Sequence, residues 1–140
     1  MLISYDKNLL NTGILLLRCT VGIIIFMVGS GKVAGWFGGF GLHTSIQFYI
    51  KMGIAVPLAY ASIFTEFIGG FLLTAGLFTR PAAFAVTINM AVATLIMLPK
   101  GFVSGGASYP FSLFIIAMAI MLTGPMDFSL DALIFKGFKG

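Results

Sequence analysis

Arg18, Lys32 and Glu66 are the residues of this chain best placed to do chemistry, because each stands within or at the edge of a run that is otherwise apolar. An ionised side chain at mid-membrane costs several kcal/mol unless it is paired or solvated, so such groups face inward and mark function. Their spacing is helical. Arg18, Gly22, Ile25, Gly29 and Lys32 form one narrow stripe at about 100° per residue, with charge at both ends and glycine between. Ser62, Glu66, Gly70 and Thr74 follow one another at steps of four. Ala82, Ala85, Asn89 and Ala93 make a small-residue face on a third segment, and Ser112, Ile116, Ala119 and Thr123 a face on a fourth. Small and hydroxyl-bearing residues on such faces serve helix packing. The charged ones need a further role. Arg18, Lys32, Ser62, Glu66, Thr74 and Asn89 are therefore the candidate lining of a polar pocket that binds a small ligand head group or carries a proton, with Glu66 and Arg18 the candidate catalytic groups.

The depth of each charge indicates which can pair. At about 1.5 Å per residue, Arg18 lies roughly 10 Å from the inner end of a span starting near Asn11. Glu66 lies roughly 18 Å from the same end of the second span. A gap of about 8 Å is within reach of two long side chains. Lys32 approaches Glu66 from the other side at roughly 13 Å. An Arg18–Glu66 pair or water-bridged network is thus expected, with Lys32 the less favoured partner. It either fixes helix register or lines a ligand site.

These residues need elements to position them. The chain has 140 residues, enough for one domain over 1–140, and only 9% are charged against 59% hydrophobic. A soluble domain carries about 25% charged residues. The mean hydropathy is +1.09. No charge occurs between Pro81 and Pro99 or between Gly101 and Met126, and each apolar interval can hold the roughly 20 residues of a membrane span. The expected architecture is an all-α membrane four-helix bundle, with spans near 11–31, 57–78, 81–98 and 110–124. Lys7, Asp6 and Arg18 spoil the pattern of a cleaved signal, so the first span is expected to be retained.

Between the first two spans, glycines surround Trp36, and the segment from His43 to Met52 alternates apolar with polar residues. That predicts an interfacial helix, with Trp36 and Tyr49 at headgroup level and His43 in water. After Gly124-Pro125, Ser129 reads as an N-cap for a short amphipathic helix, with Asp131 near its positive end and Lys136 and Lys139 at its close. Arg80, Asp127 and Asp131 are expected to pair at the membrane interface. The basic residues favour both termini on the cytoplasmic side of an inner membrane, with the lipid bilayer as the main partner.

Composition also excludes functions. The basic residues are scattered, with no stripe to track phosphates, so no nucleic acid is expected. Cys19 and His43 are the only cysteine and histidine, which leaves no internal disulfide, no redox dithiol and no Cys/His zinc site. No dinucleotide fingerprint is present.

Gly29-Ser30-Gly31-Lys32, Glu66-Phe67-Ile68-Gly69-Gly70 running on to Gly76-Leu77-Phe78-Thr79-Arg80, and Gly124-Pro125 with Ser129-Leu130-Asp131 occur in that order. From about Leu15 to Leu133 the chain resembles the DoxX family. The resemblance implies a four-helix membrane bundle and a link to thiosulfate–quinone oxidoreduction, for a subunit of which the family is named. It also implies that Glu66, Arg80 and Lys32 belong to a characteristic polar set. A His that many members carry before the first motif is Val28 here, so no role for that His is carried over.

Three functions follow as expectations. The first is a subunit or accessory of a quinone-linked membrane redox system, with no covalent or metal cofactor, a quinone between helices and electrons from a partner redox protein. The second is a small-molecule or proton-coupled transporter built on the buried Glu66. The third is a structural or assembly protein without catalysis. The glycine faces also suit a homo-oligomer.

Overall fold

The computed structural model describes residues 6–137, with side chains described as far as residue 134. Every regular element among them is helical. Helix α1 spans Lys7–Ala34; the Asp6 carboxylate caps it by accepting from the Asn8 amide at 2.9 Å. Gly35, with φ 76°, ends it in the left-handed region. Its 28 residues extend about 42 Å, more than a hydrocarbon core of about 30 Å, and include the expected span from Asn11.

A tight Trp36–Gly38 turn leads to α2, Gly41–Lys51, at the position expected for the interfacial helix. It buries Ser45 and Ile46 and leaves Phe48 exposed. Helix α3 runs Val56–Ala75, with Pro57 in its first turn, where the missing N–H needs no partner. Helix α4 is Thr79–Met97, continued by a tight turn to Lys100. Helix α5 is Ser108–Thr123, and α6 is Leu130–Gly137. The Ser129 hydroxyl accepts from the Ala132 amide at 3.1 Å, so it is the N-cap expected for α6. The expected Lys136 side chain and Lys139 lie outside the described side chains and residues.

Helices α1, α3 and α4 are long and apolar enough to cross a membrane, whereas α5 has 16 residues and reaches only about 24 Å. Val21 and Ile25 of α1, Leu73 of α3, Val86 of α4, and Ala117 and Ile120 of α5 meet in one core. Large apolar side chains such as Leu16, Phe71, Phe84, Leu95 and Leu122 point outward, as lipid contact requires. Two expected faces are displaced. Helix α5 buries Leu113, Ala117 and Ile120, not the Ser112–Thr123 face. Ser112 and Thr123 bond the carbonyls of Ser108 and Ile120 in their own helix and need no neighbour. On α4 the buried face is Ala82, Ala83, Val86 and Met90, which leaves Ala85 and Asn89 on its half-buried flank.

The register of α1 against α3 is set by backbones that nearly touch. A Cβ on Gly70 would lie 2.7 Å from the Phe26 Cα, and one on Gly29 would lie 2.7 Å from the Phe67 Cα. Only glycine permits that approach, which replaces the absent hydrophobic drive with dispersion contacts. Residues Thr65–Gly69 of α3 form a π turn. A stripe repeating every four residues drifts about 40° per step around a regular helix, and one widened turn takes that drift back. Glu66, Gly70 and Thr74 thereby stay toward α1, while Ser62 meets Tyr49 of α2 and Asn89 of α4.

Gly70→Ala should therefore separate α1 from α3 and destabilise the bundle by about 1–3 kcal/mol. Gly13→Ala, with no atom near its added carbon, should leave stability unchanged or slightly raised. Thermal unfolding of both variants in lipid nanodiscs checks this; equal midpoints would show that the close approach does not hold the helices.

Candidate functional site

Glu66 sits in the π turn of α3, where the near-contact with Gly29 presses it onto α1. One turn beyond Gly29, the Lys32 ammonium reaches the Glu66 Oε2 at 2.7 Å. The Glu66 side chain is 6% exposed and that of Lys32 27%, so the pair is largely shielded from solvent. The Lys32 Nζ also donates to the Tyr49 hydroxyl at 3.0 Å. Tyr49 Oη is 3.2 Å from Ser62 Oγ, Ser62 donates to Asn89 Oδ1 at 2.7 Å, and Asn89 Nδ2 donates to Glu66 Oε1 at 3.2 Å. The circuit closes: Lys32, Glu66, Asn89, Ser62 and Tyr49 form a ring of side chains from α1, α2, α3 and α4. A buried charge pair whose remaining lone pairs and protons are also met is the arrangement under which such a pair is tolerated.

The ring borders a cavity of about 600 Å³ between the end of α1, the Trp36–Phe40 segment and α2. Lys32 and Tyr49 belong to both. Met27, Val28, Trp36, Phe40 and Phe48 give the cavity apolar walls. Phe40 is 82% exposed and Trp36 56%, so these aromatic walls also face outward at one end of the bundle.

Lys32, Ser62, Glu66 and Asn89 of the expected pocket come together; Arg18 and Thr74 do not. The expected Arg18–Glu66 pair is replaced by Lys32–Glu66. Depths measured from span ends at Asn11 and Phe78 misplace the register, because the glycine contacts set Gly29 opposite Glu66 and Arg18 beside Gly76. Arg18, 2% exposed, donates instead to the carbonyls of Pro125 at 2.8 Å and Phe128 at 2.7 Å. It lies about 21 Å along α1 from Lys32. Thr74 bonds the Gly70 carbonyl at 2.8 Å, two turns from Glu66.

The expected interfacial charges gather at the Arg18 end with altered partners. The Asp131 carboxylate accepts from the Phe78 and Thr79 amides at 2.8 and 2.9 Å, so it caps α4. Asp127 accepts from Asn11 Nδ2 and pairs with Lys7, each at 3.1 Å. Arg80 lies along Gly124. Tyr49 is the ring member that sequence reasoning missed. Its place on an amphipathic segment reads as a headgroup anchor, and only the return of α2 over α1 brings it to Lys32.

Removing one partner of a buried pair costs about 3–5 kcal/mol because the other is stranded. Lys32→Met and Glu66→Gln should each destabilise the bundle, and the double variant should cost clearly less than their sum. Arg18→Met combined with Glu66→Gln should be additive. Unfolding of the variants in nanodiscs measures both cycles, and coupling of Glu66 to Arg18 but not to Lys32 would reverse the assignment.

The DoxX family model matches residues 13–99. A Bacillus subtilis (strain 168) protein named "Putative oxidoreductase CatD" is 36% identical over 129 residues, covering 91% of this chain and 90% of its own. The Escherichia coli (strain K12) "Inner membrane protein YqjF" is 28% identical over 134 residues, covering 93% of this chain and 98% of its own. No solved structure matches the chain. With its apolar helices, the family match over most of its length and a relative alignable nearly end to end, the chain belongs to the DoxX family of membrane proteins.

Proposed function

We propose that this chain is a membrane-embedded subunit or accessory of a redox system and holds a quinone-type carrier in the cavity beside Lys32 and Tyr49. The observation that carries the reading is the shared edge: the same two side chains close the polar ring and line an apolar cavity of about 600 Å³. The redox class is supported by the name of the Bacillus subtilis relative. A quinone needs an apolar space for ring and tail and a few convergent donors for its oxygens. Met27, Val28 and Phe48 suit the ring, and the exposed Phe40 suits a tail leaving toward lipid. The Lys32 ammonium has three hydrogens, of which Glu66 and Tyr49 take two. The third is left for a ligand oxygen.

A bound quinone supplies the electron-accepting chemistry, with electrons coming from a partner redox protein. The chain's own residues bind and orient. Glu66, itself held by Asn89, keeps the ammonium in place, and the apolar walls surround the ligand. In this reading α1, α3, α4 and α5 all cross the membrane, with both chain ends cytoplasmic alongside Lys7 and Arg80.

The closed ring also favours a structural reading, in which the circuit only ties four helices together. Trp36, the one tryptophan of the chain, lines the cavity and separates the two readings. Titrating the full chain in lipid nanodiscs with a decyl-substituted benzoquinone should quench Trp36 emission saturably. A ring-free alkyl amphiphile of the same length should not. Quenching that only rises linearly, as for a quinone dissolved in lipid, would leave the ring with its structural role and refute the ligand site.

A further inference from the structure

The hydrogen bonds of the ring have a forced direction. An ionised Glu66 only accepts, so Asn89 must turn its NH₂ toward Oε1 and its Oδ1 toward Ser62. Oδ1 also only accepts, so the single Ser62 hydrogen points to Asn89. The hydrogen of the Tyr49–Ser62 contact must then belong to Tyr49. Lys32 only donates, so Tyr49 Oη accepts from it as well. Tyr49 is left with no hydrogen for the cavity and one free lone pair. Lys32 is left with one free N–H. At the Lys32–Tyr49 edge, apart from the Thr44 and Ser45 hydroxyls that also line the cavity, the ring therefore offers one donor beside one acceptor, about 3.0 Å apart.

A ligand hydroxyl can use both: it accepts from Lys32 and donates to Tyr49. At this edge a carbonyl or ether oxygen can use only Lys32 and leaves the Tyr49 lone pair unmet. We infer that Tyr49 is a specificity-determining residue that makes the cavity prefer the hydroxyl-bearing, reduced form of its carrier, a quinol, over the quinone. The inference rests on the quinone-type reading of the cavity and adds the redox state that the site favours. Ser62 sets the preference from behind by holding the Tyr49 hydrogen away from the ligand.

The experiment is isothermal titration of the full chain in lipid nanodiscs under argon. The probes are a decyl-substituted benzohydroquinone, its dimethyl ether, which accepts but cannot donate, and the parent quinone. One neutral hydrogen bond corresponds to roughly a fivefold difference in Kd. The hydroquinone should bind tighter than the ether and the quinone by about that factor. Tyr49→Phe should erase the difference. Ser62→Ala frees the Tyr49 hydrogen to turn into the cavity and should move the preference toward the quinone and the ether. Equal affinities in the wild-type chain, or a preference that survives Tyr49→Phe, would overturn this inference and leave the ligand class standing. Failure of all three probes to bind would overturn both.

Discussion

A carboxylate at the depth of Glu66, hemmed in by apolar helices, persists as an ion only if a cation and hydrogen-bond donors come to it. Every element near it meets that demand. The glycine approach of α1 to α3 puts Lys32 within 2.7 Å, and the π turn keeps Glu66 facing α1. The return of α2 supplies Tyr49 to share the ammonium, and the flank of α4 supplies Asn89 for the second carboxylate oxygen. Ser62 links the last two. Lengthening any one of these contacts would leave a partly met network, which is worse in low dielectric than an apolar core.

The other end of the bundle solves the same problem differently. Arg18 is buried as well, yet its hydrogen bonds go to backbone carbonyls of the segment after α5. That segment then places Asp131 on the first amides of α4, where Phe78 starts the helix from a left-handed φ of 46°. Arginine and aspartate here hold the chain's return under the bundle. They do not border the cavity, which lies at the Lys32 end.

Much of this was legible in the sequence, because stripes and charge-free runs record helix faces directly. The apolar segments, the helix between the first two of them and the inward placement of Lys32, Ser62, Glu66 and Asn89 follow from periodicity, and the Ser129 cap from its residue type. The partner of Glu66 did not. Pairing depends on the register between two helices, and that is set by where glycines let backbones touch rather than by where apolar runs begin and end. Arg18 and Thr74 share their stripes with the ring but lie turns away from it. Tyr49 escaped notice because its role comes from a chain reversal among glycines, which leaves no periodic trace. The Ser112 face misled for a simpler reason: hydroxyls on a helix can satisfy themselves on the preceding turn.

Lys32, and not Arg18, neutralises Glu66. The most direct measurement is rotational-echo double-resonance solid-state NMR of the chain in lipid bilayers, with ¹⁵N in the lysine and arginine side chains and ¹³C in the glutamate carboxyl. Glu66 is the only glutamate, so its carboxyl signal is unambiguous. Strong dephasing is expected between that carboxyl and the Lys32 ammonium nitrogen, as an N···O contact of 2.7 Å requires, and it should be lost in Lys32→Met. Dephasing from the Arg18 guanidinium, or none from any lysine, would contradict the pairing.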